Sequence, residues 1–540
     1  MSWFKEMRGL LVVLAVAVGI FALLPLGTAF EFGDDEGFEV IKPFMCLKGY
    51  KLYSQIWNDQ PPVLTMVLLG AFRVWGPTIL AARVVAAGFG LVLVGSFYEL
   101  VRQRSGERMA VIATVLFLTA PSVLLLSVSV MLEGPAFALA LVSALLLFQW
   151  GKQKHWAWLV GSGSAMAVAL QIKLTAALVG PAIGVEFLLM SGALEGWRTR
   201  RETSKSNIQS SGNPQAPNSN SPARPREARS MKKRSRSPWP SPAGEGTSSA
   251  PGGRVTLRQV VIQGGLWVAG FAVMFSLIGL TWGHGAFASS WRSHTGSQVV
   301  AGMDLPQDHK FQPQLLREHI ESIAAAVVCL GFAAWRKRLR EIAFPAVLLV
   351  TVSLVHAVHR PWWNYYYLHL AIPMAWLAGW TLNGIIGALL LARNKKAAKL
   401  RFGWTGAALC VGAALMLAFS ERRLEGSVKT LRHKPTVDSN PIVRAMRARK
   451  TPDVWAYSED GMYAFQAGMR VPPDLAIVMP KRFWSGQISD AEIIARCKDY
   501  GLAYIVLPRN RISSEWAAML TIGHREGGAD SKSRLFSAGR

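Results

Sequence analysis

The segment EFGDDEGFEV (31–40) places five carboxylates, Glu31, Asp34, Asp35, Glu36 and Glu39, within nine positions. Adjacent carboxylates can take a proton from an acceptor hydroxyl or amine, or hold a divalent cation. The same run also suits an acidic, solvated loop that helps to set topology. Glu133 (VMLEGPAF) is a further acid in an apolar setting, and Arg83 (LAARVVA) and Lys173 (LQIKLTA) are cations in one. Each alone reads as a snorkelling anchor. Brought to one level they would form a pocket for an anionic phosphate beside an acid or base. Asp59 in WNDQPPVL is a turn residue or the closing residue of the acidic loop, stiffened by Pro61 and Pro62. In VHAVHRPWWNYYYLHLAIP (355–373), His356, His359, Arg360, Asn364 and His369 alternate with aromatics. The His356/His359 spacing would suit a metal on a helix, but an interfacial aromatic belt is the favoured reading. His359 and Arg360 are then candidate contacts for phosphate or sugar.

Groups this scattered need a scaffold, and the composition says which kind. The 540 residues carry 59 Lys and Arg against 33 Asp and Glu, a formal charge of +26, yet only 17% are charged and 51% are apolar. Soluble domains sit near 25% charged. Apolar windows of membrane-spanning length occur at 9–30, 79–100, 109–127, 134–150, 156–172, 174–190, 258–282, 319–335, 342–358, 366–390 and 403–420. The two windows around Lys173 read as a hairpin or as one broken segment. The stretch 62–76, interrupted by Arg73, reads as an interfacial helix. The first window follows Lys5 and Arg8 and reads as a retained span, longer than a signal-peptide core.

Basic loops mark the cytosolic side. They fall at Arg102, Arg104 and Arg108, at Lys152 and Lys154, at 191–257, at 336–340 and at 393–401, whereas the first outer loop is acidic. The alternation places the N-terminus in the cytoplasm and the C-terminus outside. The basic stretch 422–450 runs against it, but charges after the last span weigh less. The Ser-, Pro- and Arg-rich segment 191–257 reads as a disordered cytoplasmic linker rather than a nucleic-acid binder. Residues 451–540 change character: DVWAYS and LAYIVL read as strands and DAEIIARCKDYG as a helix, a small α/β domain serving as a lid or acceptor dock. Four isolated cysteines imply neither a zinc ribbon nor a disulfide framework. The expected architecture is therefore mostly α. A polytopic bundle of about eleven spans fills 1–420 and includes a first outer loop at 31–61. A basic linker follows at 421–450, then the extracytoplasmic α/β domain at 451–540.

These pieces occur in a familiar order. The chain resembles the integral-membrane glycosyltransferases that use polyprenyl-phosphate sugars, among them the protein O-mannosyltransferases and the lipid A aminoarabinose transferases. DDEGFEV is similar to the family's Asp-Glu motif, with Asp35-Glu36 as the pair. KGYKLYSQIWNDQPPVLTM is similar to the stretch that follows it. LAARVVAA, VMLEGPAFAL, LQIKLTAALVGP and WWNYYYLHLAIPMAWLAG resemble its later motifs, in order, over roughly residues 1–420. One departure is clear: the family's Lys-Pro-Pro is Gln60-Pro61-Pro62 here. The resemblance implies a GT-C fold in a bacterial inner membrane. It also implies transfer of a hexose or pentose from a polyprenyl phosphate to an acceptor lipid, glycan or protein on the outer face, with membrane lipid as a further partner and no nucleic acid. It nominates Asp35 as base or acceptor-orienting carboxylate, supported by Glu36 and Glu133. Arg83, Lys173 and Arg360 become donor-phosphate contacts, and Asp34, Asp59, His359 and His369 candidate substrate contacts. The resemblance fixes no cofactor, and the carboxylates could hold a divalent metal. Asp35, Arg83, Glu133 and Lys173 are expected to meet in one extracytosolic chamber.

A transporter or lipid-linked-sugar flippase is the rival reading. It predicts inverted repeats and helices broken at mid-membrane. No internal repeat is visible, and the notable charges sit at span ends. A membrane scaffold carrying an external binding module is a third reading, in which the acidic loop is dispensable.

Overall fold

The computed structural model describes residues 2–193, 256–282, 316–359, 362–392, 404–448, 454–484 and 486–538. Each apolar window holds a helix. In chain order these and the intervening helices are α1 (Ser2–Ala22), α2 (Glu36–Leu47), α3 (Val63–Trp75), α4 (Ile79–Ser105), α5 (Glu107–Leu118), α6 (Val123–Val128) and α7 (Glu133–Gln153). They continue as α8 (Trp156–Leu170), α9 (Gly180–Ser191), α10 (Leu257–Trp282), α11 (Ile320–Trp335), α12 (Ala343–Val358), α13 (Tyr367–Ala392) and α14 (Trp404–Arg432). Among the described residues, six helical segments are long and apolar enough to cross a membrane, and four further apolar helices are shorter.

Several windows end early for local reasons. Helix α1 stops at Ala22 ahead of Pro25, so 23–30 runs out of the span as loop. The window 109–127 is not one helix. It breaks between α5 and α6, where Pro121 removes a backbone donor and Ser122 takes a left-handed φ of 63°. Lys173 lies between α8 and a 3-10 turn at Leu174–Val179, with extended backbone (φ −152°, ψ 134°). Gln171, Ile172 and Lys173 thus form the break that the paired windows imply. The basic stretch after the last window is no loop at first, because α14 carries Arg422, Arg423, Lys429 and Arg432 within a continuous helix.

Beyond α14 come α15 (Pro441–Ala448), β1 (Ala456–Ser458), α16 (Gly461–Ala467), α17 (Pro480–Trp484), α18 (Asp490–Asp499), β2 (Tyr504–Pro508), α19 (Ser514–Gly523), β3 (His524–Ala529) and β4 (Ser533–Ala538). The sheet order is β1-β2-β4-β3, with β1 and β2 parallel and the other pairs antiparallel. The hydrophobic core runs unbroken from the bundle into this region and includes Ile41, Phe44, Phe72, Met462, Phe465 and Val506. Phe465 sits between the Phe44 ring (5.7 Å, edge-on) and the Phe72 ring (5.7 Å, stacked).

Candidate active site

The acidic run divides at its centre. Glu36 opens α2 and points inward, fully buried. Arg83, one turn into α4, grips it: Nε donates to Oε1 at 3.1 Å and Nη2 to Oε2 at 2.8 Å. The Phe32 and Val130 backbone N–H groups also donate to this carboxylate, at 2.7 and 2.9 Å. Arg83 Nη1 donates to the Leu26 and Ala29 carbonyls, and its guanidinium lies 4.1 Å from the Phe32 ring centre. This is a bidentate, fully desolvated pair that ties α1, α2, α4 and the α6–α7 link together. Arg83, expected to meet a donor phosphate, and Glu36, expected near the reacting atoms, form a clamp here, bound to each other and to backbone.

Asp35 turns the other way. It is half-buried at the N-terminus of α2, and it accepts a hydrogen bond from the Tyr365 hydroxyl. Burial lifts its carboxyl above the ordinary aspartate range, and Lys173 and Lys481 pull it back. Lys173 pairs directly with Glu133, the first residue of α7. Its ammonium also stands over the Tyr365 and Tyr366 rings, at 4.7 and 5.6 Å from their centres. Asp35, Glu133 and Lys173 therefore converge, from α2, α7 and the α8–α9 break, while Arg83 is held apart behind Glu36. The two tyrosines belong to the segment read as an interfacial belt. In the fold its rings turn inward, with Trp362, Tyr366 and Tyr367 at 2%, 6% and 0% exposure.

A second layer lies beside Asp35. Lys42 Nζ donates to Glu39 Oε1 at 2.7 Å, and both are buried. Asp59 is buried and accepts from the Gln60 amide at 2.9 Å. It also pairs with Lys481 of α17, a residue that nothing in the local sequence MPKRFW marks out. Only its charge identifies it, and its partner is more than four hundred positions away.

The remaining candidates scatter. Asp34 is solvent-exposed, 3.7 Å from Lys532. His359 is exposed at the end of α12. His369 is fully buried, stacked on Phe137 and hydrogen-bonded to His356 at 3.0 Å. Arg360 lies outside the described residues, as does most of the linker 191–257. Among the described residues no three or more His, Cys, Asp or Glu side chains gather to hold a metal ion. Glu36 is paired with Arg83 and Glu133 with Lys173.

The fold has counterparts. Residues 59–203 match the family model of dolichyl-phosphate-mannose-protein mannosyltransferase. The fold is similar to the crystal structure of ArnT from Cupriavidus metallidurans bound to undecaprenyl phosphate. Sequence identity is 15%, coverage is 99% of both chains, and the TM-score is 0.61. It is also similar to the archaeal oligosaccharyltransferase AglB from Archaeoglobus fulgidus in complex with an inhibitory peptide and a dolichol-phosphate. There, 13% identity spans 96% of this chain and 71% of that one, with a TM-score of 0.53. No curated protein matches the chain in sequence. The chain is a helical membrane protein with the GT-C fold.

Proposed function

We propose that the chain transfers a sugar from a polyprenyl-phosphate carrier to an acceptor lipid, glycan or protein on the outer face of the membrane, with the N-terminus cytoplasmic and the C-terminal region outside. The observation that carries this reading is the meeting of Asp35 with the Glu133–Lys173 pair, from three separate elements, at the helix ends. The family match over 59–203 and the ArnT-like fold support it.

The chemistry follows from the charges. The glycosidic bond to phosphate breaks through an oxocarbenium-like state, while negative charge grows on the departing polyprenyl phosphate. An ammonium fixed in a low-dielectric site stabilises that charge better than water does. Lys173 takes this role, held in place by Glu133. Asp35 orients the acceptor hydroxyl or amine and takes its proton. Tyr365 fixes the carboxylate, and the Glu36–Arg83 clamp fixes the helix end on which Asp35 stands. No nucleotide loop is needed, because the lipid carries the activated sugar.

The test is release of polyprenyl phosphate by the purified protein from a labelled lipid-phosphate sugar, supported by mass spectrometry of surface glycans and lipid-linked sugars in a deletion strain. Asp35→Asn is expected to insert and fold normally but to lose at least about a hundredfold in turnover, the scale of a general base. Undiminished turnover in that variant sinks the role of Asp35. A carrier sugar that crosses the bilayer without cleavage would instead establish the flippase reading.

A further inference from the structure

The cations around Asp35 differ in one decisive respect, which is access. Arg83 is fully buried against Glu36. Lys42 has a side-chain exposure of 2% and is bound to Glu39. Lys173 has 9% and is enclosed by Glu133 and two tyrosine rings. The Lys481 side chain keeps 21% exposure, although its partner Asp59 is sealed at 1%. Lys532 is more exposed but is engaged by Glu31 and Asp34. Of the four cations around Asp35 (Arg83, Lys42, Lys173 and Lys481), Lys481 has the most exposed side chain. Burial draws the pKa of its ammonium down to about 7, while Asp35 opposes that shift.

Its placement is built in. Arg482, the next residue, is buried: Nη1 donates to the Ile477 carbonyl at 2.7 Å and to the Asp474 carbonyl at 3.1 Å. Its guanidinium stands 4.9 Å from the centre of the Trp57 ring, in the loop that leads to Asp59. Phe483 is held under the Arg511 guanidinium at 4.0 Å, and Arg511 is itself paired with Asp490 and Glu459. These contacts lock α17 against the first outer loop, so that residue 481 faces Asp59 and the field of Asp35. The Gln60 amide and the Lys481 ammonium meet on one Asp59 oxygen, Oδ2. The ammonium therefore stands beside the side chain of position 60, where this chain has glutamine and the related motif has lysine.

We propose that Lys481 is a phosphate contact of the lipid-linked donor, so that the C-terminal region completes the active site. The inference rests on the reading of the chain as a polyprenyl-phosphate glycosyltransferase. The donor is a phosphodiester with one negative charge. An ammonium at position 481 pairs with that charge in the bound donor and in the polyprenyl phosphate that is released, a uniform binding contact that lowers KM more than it raises kcat. Asp35 lies within the field of both Lys173 and Lys481.

The experiment uses the full-length protein in detergent, with undecaprenyl phosphate as the binding probe and a lipid-phosphate sugar as the turnover substrate. Lys481→Gln is expected to weaken undecaprenyl phosphate binding and raise the donor KM about tenfold or more, the scale of one charge-assisted hydrogen bond, with kcat changed far less. Lys481→Arg, which keeps the charge, should restore most of the affinity. A role limited to docking α17 on Asp59 would lower the melting temperature and leave the donor KM unchanged. Unchanged probe affinity in Lys481→Gln, or a loss confined to kcat, overturns the proposal. If the variant does not fold, amine-reactive footprinting of the wild-type protein decides: undecaprenyl phosphate should protect Lys481, and equal labelling with and without it refutes the contact. A wild-type protein that binds the probe but never cleaves a carrier sugar would instead refute the glycosyltransferase reading.

Discussion

Lys173 and Glu133 are both nearly sealed from solvent, and that sets what their substitution will do. Removing one member of a buried ion pair strands the other in a medium that cannot solvate it, at a cost of about 3–5 kcal/mol. Lys173→Ala should therefore lower the melting temperature as well as donor affinity, and the two effects would be confounded. The double variant Lys173→Met, Glu133→Gln separates them. It leaves no charge stranded and keeps the volume, so stability should return toward wild type while donor binding stays lost. Thermal melting and polyprenyl phosphate binding on the single and double variants form the cycle. Recovery of binding along with stability would show that Lys173 serves only the fold. The sequence marked these residues because an ionisable group in an apolar run is rare. It could not show that Arg83 and Lys173, alike on paper, differ in setting. That difference depends on which acid each finds, and both partners are remote in the chain.

The elements were legible where their signal was local. Apolar length marks the long helices of the bundle, and the apolar spacing of DAEIIARCKDYG marks α18, whose start the structure closes with a capping box from Ser489 and Glu492. The strands β3 and β4 were not legible. HREGGA shows no apolar alternation, lies mostly exposed at the sheet edge, and contains the irregularity between Glu526 and Gly528. The site depends on another detail without a clear sequence signal, the close packing of α6 under α7. A Cβ at Gly134 would stand 2.5 Å from the Leu126 carbonyl oxygen, a backbone atom that cannot swing aside. Gly134→Ala must push the first turn of α7 away and carry Glu133 with it. The expected cost is about 1–3 kcal/mol of overpacking, together with a fall in turnover. Gly88→Ala, on an exposed face of α4 with nothing within 4 Å, is the control. It should be neutral or slightly stabilising, since alanine favours helix over glycine by roughly 0.5–1 kcal/mol. Equal melting temperatures and activities for the two variants would show that the α6–α7 contact does not position Glu133.

Across the whole molecule, the sequence separates a membrane core from a C-terminal α/β region, while the fold joins them. The change in composition near residue 450 is real, but it hides the interface, because the residues that form it look like ordinary core residues of either part. Phe465 fills the gap between Phe44 of α2 and Phe72 of α3. Phe30 packs on Tyr463 at 4.9 Å, and its backbone N–H donates to the Pro435 carbonyl at 2.7 Å. Lys532 reaches Glu31 at 3.2 Å. The interface shares α2 with the catalytic candidate Asp35 and brings Lys481 to Asp59, so docking and chemistry are coupled through one helix. Phe465→Ala should cost about 3–5 kcal/mol, most of it at the interface, because the ring is 4% exposed and meets bundle rings on two sides. Limited proteolysis should then release the C-terminal region while the bundle melts near its original temperature, and donor affinity should fall with the loss of Lys481. Trp516→Ala is the contrast. That ring is buried in the region's own core, stacked on Tyr457 at 5.8 Å and away from α2. It should weaken the region internally without the same early loss of donor binding. If Phe465→Ala keeps full affinity while the C-terminal region is cleaved away, the bundle alone forms the donor site and the coupling through α2 does not exist.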